Sequence, residues 1–152
     1  MSDSGATRVI RAPRAAVYQA LLDPTAVERW RAPDGMTATV HRWEPVAGGP
    51  FRVSLTYDDP SRVGKSSPGT DTYQGTFAEL VPDVRLVEVL AFETDDPDLA
   101  GPLTVTTTLA DAAGGTRVTI AFDGLPDGVS PEDNATGTSM SLAKLAALVE
   151  VG

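Results

Sequence analysis

Between Met36 and Asp123 the chain alternates apolar and polar residues, interrupted only by short clusters of Pro, Gly, Asp and Ser. Successive side chains on a strand point to opposite faces, so this period of two marks strands with one buried face. Six are read there: Met36–Glu44, Phe51–Asp58, Thr72–Val81, Val84–Thr94, Leu103–Asp111 and Thr116–Asp123. The breaks between them are turn chemistry: Pro45–Pro50 with Gly48 and Gly49, Pro82-Asp83, the acidic DDPDLAG, and Gly114-Gly115. Only the loop from 59 to 70, DPSRVGKSSPGT, is longer. Connections this short allow hairpins and no crossovers, which predicts an antiparallel meander. Phe51, Val53, Leu55 and Tyr57 fall on one face of their strand, expected to be the core face.

Helical signals flank this run. Thr7–Ala12 reads as a first strand, after which Pro13 opens a pattern with Ala16, Val17, Ala20 and Leu21 on one side, ending at Asp23. Asp23 and Pro24 are a cap and first position for a second short helix, TAVERW, stopped after Trp30 by Pro33. At the other end Ser130, Pro131, Glu132 and Asp133 form a strong helix start. At about 100° per residue, Ala135, Thr138, Leu142, Leu145, Ala146 and Val149 then share a stripe, while Met140, Lys144 and Ala147 lie opposite. Roughly nineteen residues at about 1.5 Å each make a rod near 28 Å long, enough to cover a small sheet. The order β-α-α-β₆-α predicts an α+β fold of seven strands, and residues 1–152 are expected to form one domain.

Composition narrows the function classes. With no cysteine, disulfides, thiolate catalysis and thiolate-bound metals are excluded. A formal charge of −9 without a basic stripe opposes nucleic-acid binding. The apolar runs are far shorter than the ~20 residues of a membrane span, and MSDSGATR lacks the apolar stretch of a signal peptide, so a cytoplasmic location is expected.

A family resemblance rests on several segments taken together: IRAPRAAVYQALLDPTAVERW at 10–30, GGPFR at 48–52, YQGTFAELVPDVRLVEV at 73–89, GGTRVTI at 114–120, and Gly137 followed by SLAKLAALVE. In this order the chain resembles the helix-grip superfamily of START-like (SRPBCC) proteins, which includes lipid-transfer domains, polyketide cyclases and the birch pollen allergen. Within it the chain is similar to the branch named for the activators of the heat-shock protein 90 ATPase. The resemblance implies a curved antiparallel sheet around the long C-terminal helix, often with an apolar cavity between them. Members of this branch commonly carry Trp after the helix glycine, where this chain has Thr138.

The expected function is binding of a hydrophobic small molecule in that cavity. The alternatives are a chaperone-interacting module and a cyclase- or hydrolase-like enzyme. The candidate lining is Trp30, Trp43, Phe51, Leu55, Tyr57, Tyr73, Phe77, Phe92, Thr138 and Leu142, because pockets are mostly apolar with a few placed polar groups. These residues equally suit an ordinary core. Buried tyrosine hydroxyls need partners, which singles out Tyr57 and Tyr73. No catalytic set is legible, and no cofactor or metal motif is read. His41 is the only histidine and is read as a plain strand residue in register with Thr37, Thr39 and Trp43. Arg42, Arg52, Glu79 and Glu88 are expected to face solvent, and one turned inward would orient a polar ligand. Gly64-Lys65-Ser66, Asp96/Asp98/Gly101 and Asn134-Ala135-Thr136 match fragments of phosphate-loop, calcium-loop and glycosylation patterns without the surrounding residues or context those need. Homodimerisation is a general expectation for a small domain, with no interface specified.

Overall fold

The computed structural model describes residues 2–59, 61, 64, 65 and 69–150. Half of the 59–70 loop, including Ser66, and the first and the last two residues lie outside them. The elements are β1 (Ser4–Ile10), α1 (Arg14–Leu22), α2 (Pro24–Trp30), β2 (Met36–Trp43), β3 (Pro50–Tyr57), β4 (Thr70–Val81), β5 (Arg85–Phe92), β6 (Leu103–Ala112), β7 (Gly115–Asp123) and α3 (Pro131–Val149). This is the expected β-α-α-β₆-α order. The strands form one antiparallel sheet in the order β1-β7-β6-β5-β4-β3-β2, a meander to which β1 returns at the far edge.

Helix starts follow the local chemistry. The Asp23 carboxylate accepts from the Thr25 N–H at 3.0 Å, and the Ser130 hydroxyl accepts from the Asp133 N–H at 3.2 Å, each ahead of a proline at the first helical position. Strand ends depart from the sequence pattern where pairing decides them. β1 runs from Ser4 to Ile10 because β7 supplies partners from Phe122 to Thr116, and the chain turns at Ala12. β4 starts at Thr70, opposite Thr56.

Two bulges change which side chains face inward. The β2–β3 register shifts between Val40 and Arg42, so Trp43 lies opposite Phe51 inside the sheet while His41 is exposed. The expected shared register of His41 and Trp43 is thereby corrected. The β4–β5 register shifts between Phe77 and Glu79, which leaves Phe77 opposite Glu88.

The sheet curls about α3, and its inner face packs on all three helices in one core. Leu142 and Leu145 are fully buried in it with Phe51 and Val53. The backbone of α3, however, runs beside β1 and against α2 and α1, at the edge of the sheet remote from β3. At its N-terminal end α3 leaves a gap between itself and the inner face of the sheet. Gly75, in the middle of β4, is required by close approach: a Cβ there would run into the Val89 carbonyl of the neighbouring strand.

Candidate functional site

The gap is a cleft of about 570 Å³ between the N-terminal half of α3, the segment after α2, and the inner face of the sheet. Its cause is the helix sequence. Toward the C-terminus α3 fills the core with Leu142, Leu145 and Ala146, whereas its earlier inward positions are Gly137, Thr138 and Ser141. Gly137 lies against Pro33, where an added Cβ would sit 3.4 Å from the ring. These small residues leave space in front of a wall made by Leu90, Phe92, Leu103, Val105, Ile120 and Phe122.

A charged cluster lies at the edge of that wall. Arg31 directly follows α2, and α3 holds it there: the Ser141 hydroxyl donates to the Arg31 carbonyl at 2.9 Å, and the Lys144 ammonium to the Ala32 carbonyl at 2.8 Å. The guanidinium is thereby aimed into the cleft, its centre 5.7 Å from both the Trp30 and the Tyr73 rings. It donates to one oxygen of Glu88 at 3.2 Å, and the side chains are 13% and 1% exposed. Burial opposes the Arg31 charge, but Glu88 and Tyr73 together more than offset it and hold the guanidinium above its ordinary value. Burial pushes the Tyr73 phenol up; Arg31 pulls it the other way, and Glu88 raises it further. Two atoms of the cluster have no hydrogen-bond partner among the described residues: the second Glu88 oxygen, Oε2, and the Tyr73 hydroxyl. Buried polar atoms are seldom left so.

A second ion pair borders the cleft. Asp71, 3% exposed, receives the Lys65 ammonium at 2.8 Å and also accepts from the Lys65 backbone N–H. The same ammonium stands 5.2 Å from the centre of the Phe92 ring. Among the described residues no group of three His, Asp or Glu side chains is placed to hold a metal ion, and no helix is long and apolar enough to cross a membrane.

The family model of the activator of Hsp90 ATPase homolog 1-like proteins matches residues 11–150. The chain belongs to that family. Its fold is that of solved relatives. A protein of Chromobacterium violaceum is 34% identical, with 96% of this chain and 95% of that one covered and a TM-score of 0.84. An AHSA1-like protein of Aeromonas hydrophila is 23% identical over 97% and 95% of the two chains, with a TM-score of 0.71. A Rhodobacter sphaeroides protein, also 23% identical, covers 93% and 88% with a TM-score of 0.74. No curated protein is a significant match.

Of the residues expected to line a cavity in this AHSA1-like domain, Trp30, Leu55, Tyr57, Tyr73, Phe92 and Thr138 border the cleft. Trp43, Phe51, Phe77 and Leu142 do not; they pack in or against the core. The reason lies in a row of rings across β2 to β5. The Trp43 and Phe51 ring centroids each lie 4.9 Å from that of Phe77, edge-on or tilted, and 5.8 Å from one another, making a closed cluster, and of this row only Tyr73 and Phe92, further along, reach the open end. Trp43 is tied there by its indole N–H, which donates to the Leu22 carbonyl at 2.7 Å. Leu142 lies in the filled half of α3. Trp30 borders the cleft without filling the space beside Thr138, its own indole N–H donating to the Ala20 carbonyl.

Glu88 faces inward, against the expectation of a solvent-facing strand charge, whereas Arg42 pairs with Glu44, Arg52 with Glu93 and Glu79 with Arg85 outside the core. Arg31, Lys65 and Asp71 were not expected at the site at all. Parity held a signal for Glu88, which alternates with Leu86, Leu90 and Phe92 on β5. His41 lies away from the cleft, hydrogen-bonded through Nε2 to the Ser54 hydroxyl at 2.8 Å, which in turn meets the Thr72 hydroxyl at 2.7 Å. Met140 borders a shallow outer depression with Asp34 and Lys144.

Proposed function

We propose that this AHSA1-like domain binds an apolar small molecule in the cleft between the sheet and the N-terminal half of α3. The observation that carries this reading is the apolar lining of the cleft: Leu90, Leu103, Val105 and Ile120 border space because α3 offers them only Gly137, Thr138 and Ser141. The volume of about 570 Å³ is within the range of small-molecule sites, and an apolar lining with a few placed polar groups is their usual composition. Each methylene that a ligand moves from water into such a site contributes about 0.8 kcal/mol.

Thermal-shift measurements and native mass spectrometry with a panel of neutral apolar compounds test the proposal. A binder present at about a hundred times its Kd stabilises by roughly 2.7 kcal/mol, which for a chain of this length raises Tm by about 5–10 °C. Native spectra should show a one-to-one complex. Thr138→Trp, which puts bulk into the cleft where the family commonly carries it, should abolish both signals. A panel that gives neither adduct nor shift, or a variant that binds as well as the native chain, sinks the reading.

A further inference from the structure

We propose that the cleft selects, among apolar molecules, one that carries a hydroxyl group, received by Glu88 Oε2 as acceptor and by the Tyr73 hydroxyl as donor. This rests on the reading of the cleft as an apolar ligand site and names the chemical class of its occupant. The two atoms are the buried polar atoms of the cluster without a partner among the described residues, they belong to side chains bordering the cleft, and their residues are only 1% and 4% exposed. Leaving such atoms unsatisfied costs roughly 1–3 kcal/mol each, so a ligand that satisfies them gains by that amount over one that cannot. Their needs are complementary. The free oxygen of a carboxylate paired with Arg31 accepts, whereas a phenol donates most readily. A hydroxyl is the smallest neutral group that both donates and accepts, and both residues are gathered around the same Arg31 guanidinium.

The charges of the site argue for a neutral group. Arg31 is matched by Glu88 and Lys65 by Asp71. A ligand carboxylate seeking Arg31 would meet Glu88, and an ammonium seeking Glu88 would meet Arg31; either way a like charge is buried beside it. The remaining lining carboxylate, Asp133, is exposed at the helix start, and the overall charge of −9 further disfavours anions.

The test uses the intact protein and four probes of matched chain length: 1-decanol, its near-isostere 1-methoxynonane, decanoate and decylammonium, with Kd measured by calorimetry and stoichiometry by native mass spectrometry. The alcohol should bind tenfold or more tightly than the ether, which lacks the donor, and more tightly than either ion. Glu88→Gln should erase most of the alcohol's advantage over the ether, which rests on the alcohol's donor, while leaving the ether's Kd within about twofold; Tyr73→Phe, which removes a donor that either oxygen can accept from, should weaken alcohol and ether together by about fivefold. Tyr73→Phe removes one oxygen that makes no well-formed hydrogen bond among the described residues, so it keeps the test readable should Glu88→Gln fail to fold. Equal binding of alcohol and ether, or preference for an ion, overturns the hydroxyl assignment and leaves the apolar cleft standing. Binding of none of the four overturns both.

Discussion

Arg31 and Glu88 form the most demanding feature of the interior, and Arg31→Met tests the account of it. The substitution keeps an unbranched side chain between the Trp30 and Tyr73 rings but strands Glu88, whose side chain is 1% exposed and has one unpartnered oxygen already. Removing one member of a buried pair costs about 3–5 kcal/mol, chiefly the burden of the charge left behind. At 2–4 °C per kcal/mol for a chain of this size, Tm should fall by roughly 10 °C or more. Arg31→Met combined with Glu88→Leu removes both charges and should recover most of the loss, since an apolar replacement of a buried pair is often neutral or better. Urea unfolding of the native chain, both single variants and the double variant closes the cycle, with an expected coupling of at least about 2 kcal/mol. Additive losses would refute the reasoning, because they would mean that neither charge depends on the other for its burial.

Three further outcomes follow from the geometry. Phe77→Ala should destabilise by about 3–5 kcal/mol, the ring being 0% exposed among Trp43 and Phe51, while Phe77→Leu should leave apolar-probe affinity unchanged because the residue does not border the cleft. Gly75→Ala should cost at least the 1–3 kcal/mol typical of overpacking, measured by urea midpoint, since its Cβ meets strand backbone. The hydrogen bonds from Arg52, at 2.7 and 2.9 Å, hold Glu93 below the usual carboxylate range. A folded pKa depressed in this way contributes stability above the unfolded value and loses it as pH falls through the folded one. Glu93→Gln should therefore be less stable than the native chain near neutrality by a small, salt-sensitive margin that disappears in acid.

The sequence made the architecture readable because each signal was local. Alternation marked the six consecutive strands, Gly and Pro marked the turns, and Ser130-Pro131 marked the start of α3, all within a few residues of the feature they specify. The site was less legible because it depends on distant packing. Nothing near Arg31 says that its carbonyl will be held by Ser141, 110 residues away, and so nothing local says that its guanidinium points inward. Lys65 read as loop composition, yet its ammonium is fixed by Asp71 at the sheet. Glu88 was open to detection, since its parity on β5 matches Leu86 and Leu90; the general rule that strand charges face water obscured it. The aromatic residues were found as a class, but the bulges at His41 and Ala78 and the packing of Trp43 on Leu22 decide which rings end at the cleft.

The cleft also contains its own reporter. Trp30 borders it and Trp43 does not, so Trp43→Phe should retain ligand-dependent tryptophan fluorescence and Trp30→Phe should lose it, as read in an emission titration.

The most direct measurement is a fluorescence titration of the native chain and Thr138→Trp with the neutral apolar probe N-phenyl-1-naphthylamine, run alongside urea midpoints to show that both are folded. Saturable one-to-one enhancement is expected for the native chain and none for the folded variant. Unsaturable weak enhancement in the native chain, or the same isotherm in both, would contradict a ligand cleft beside Thr138.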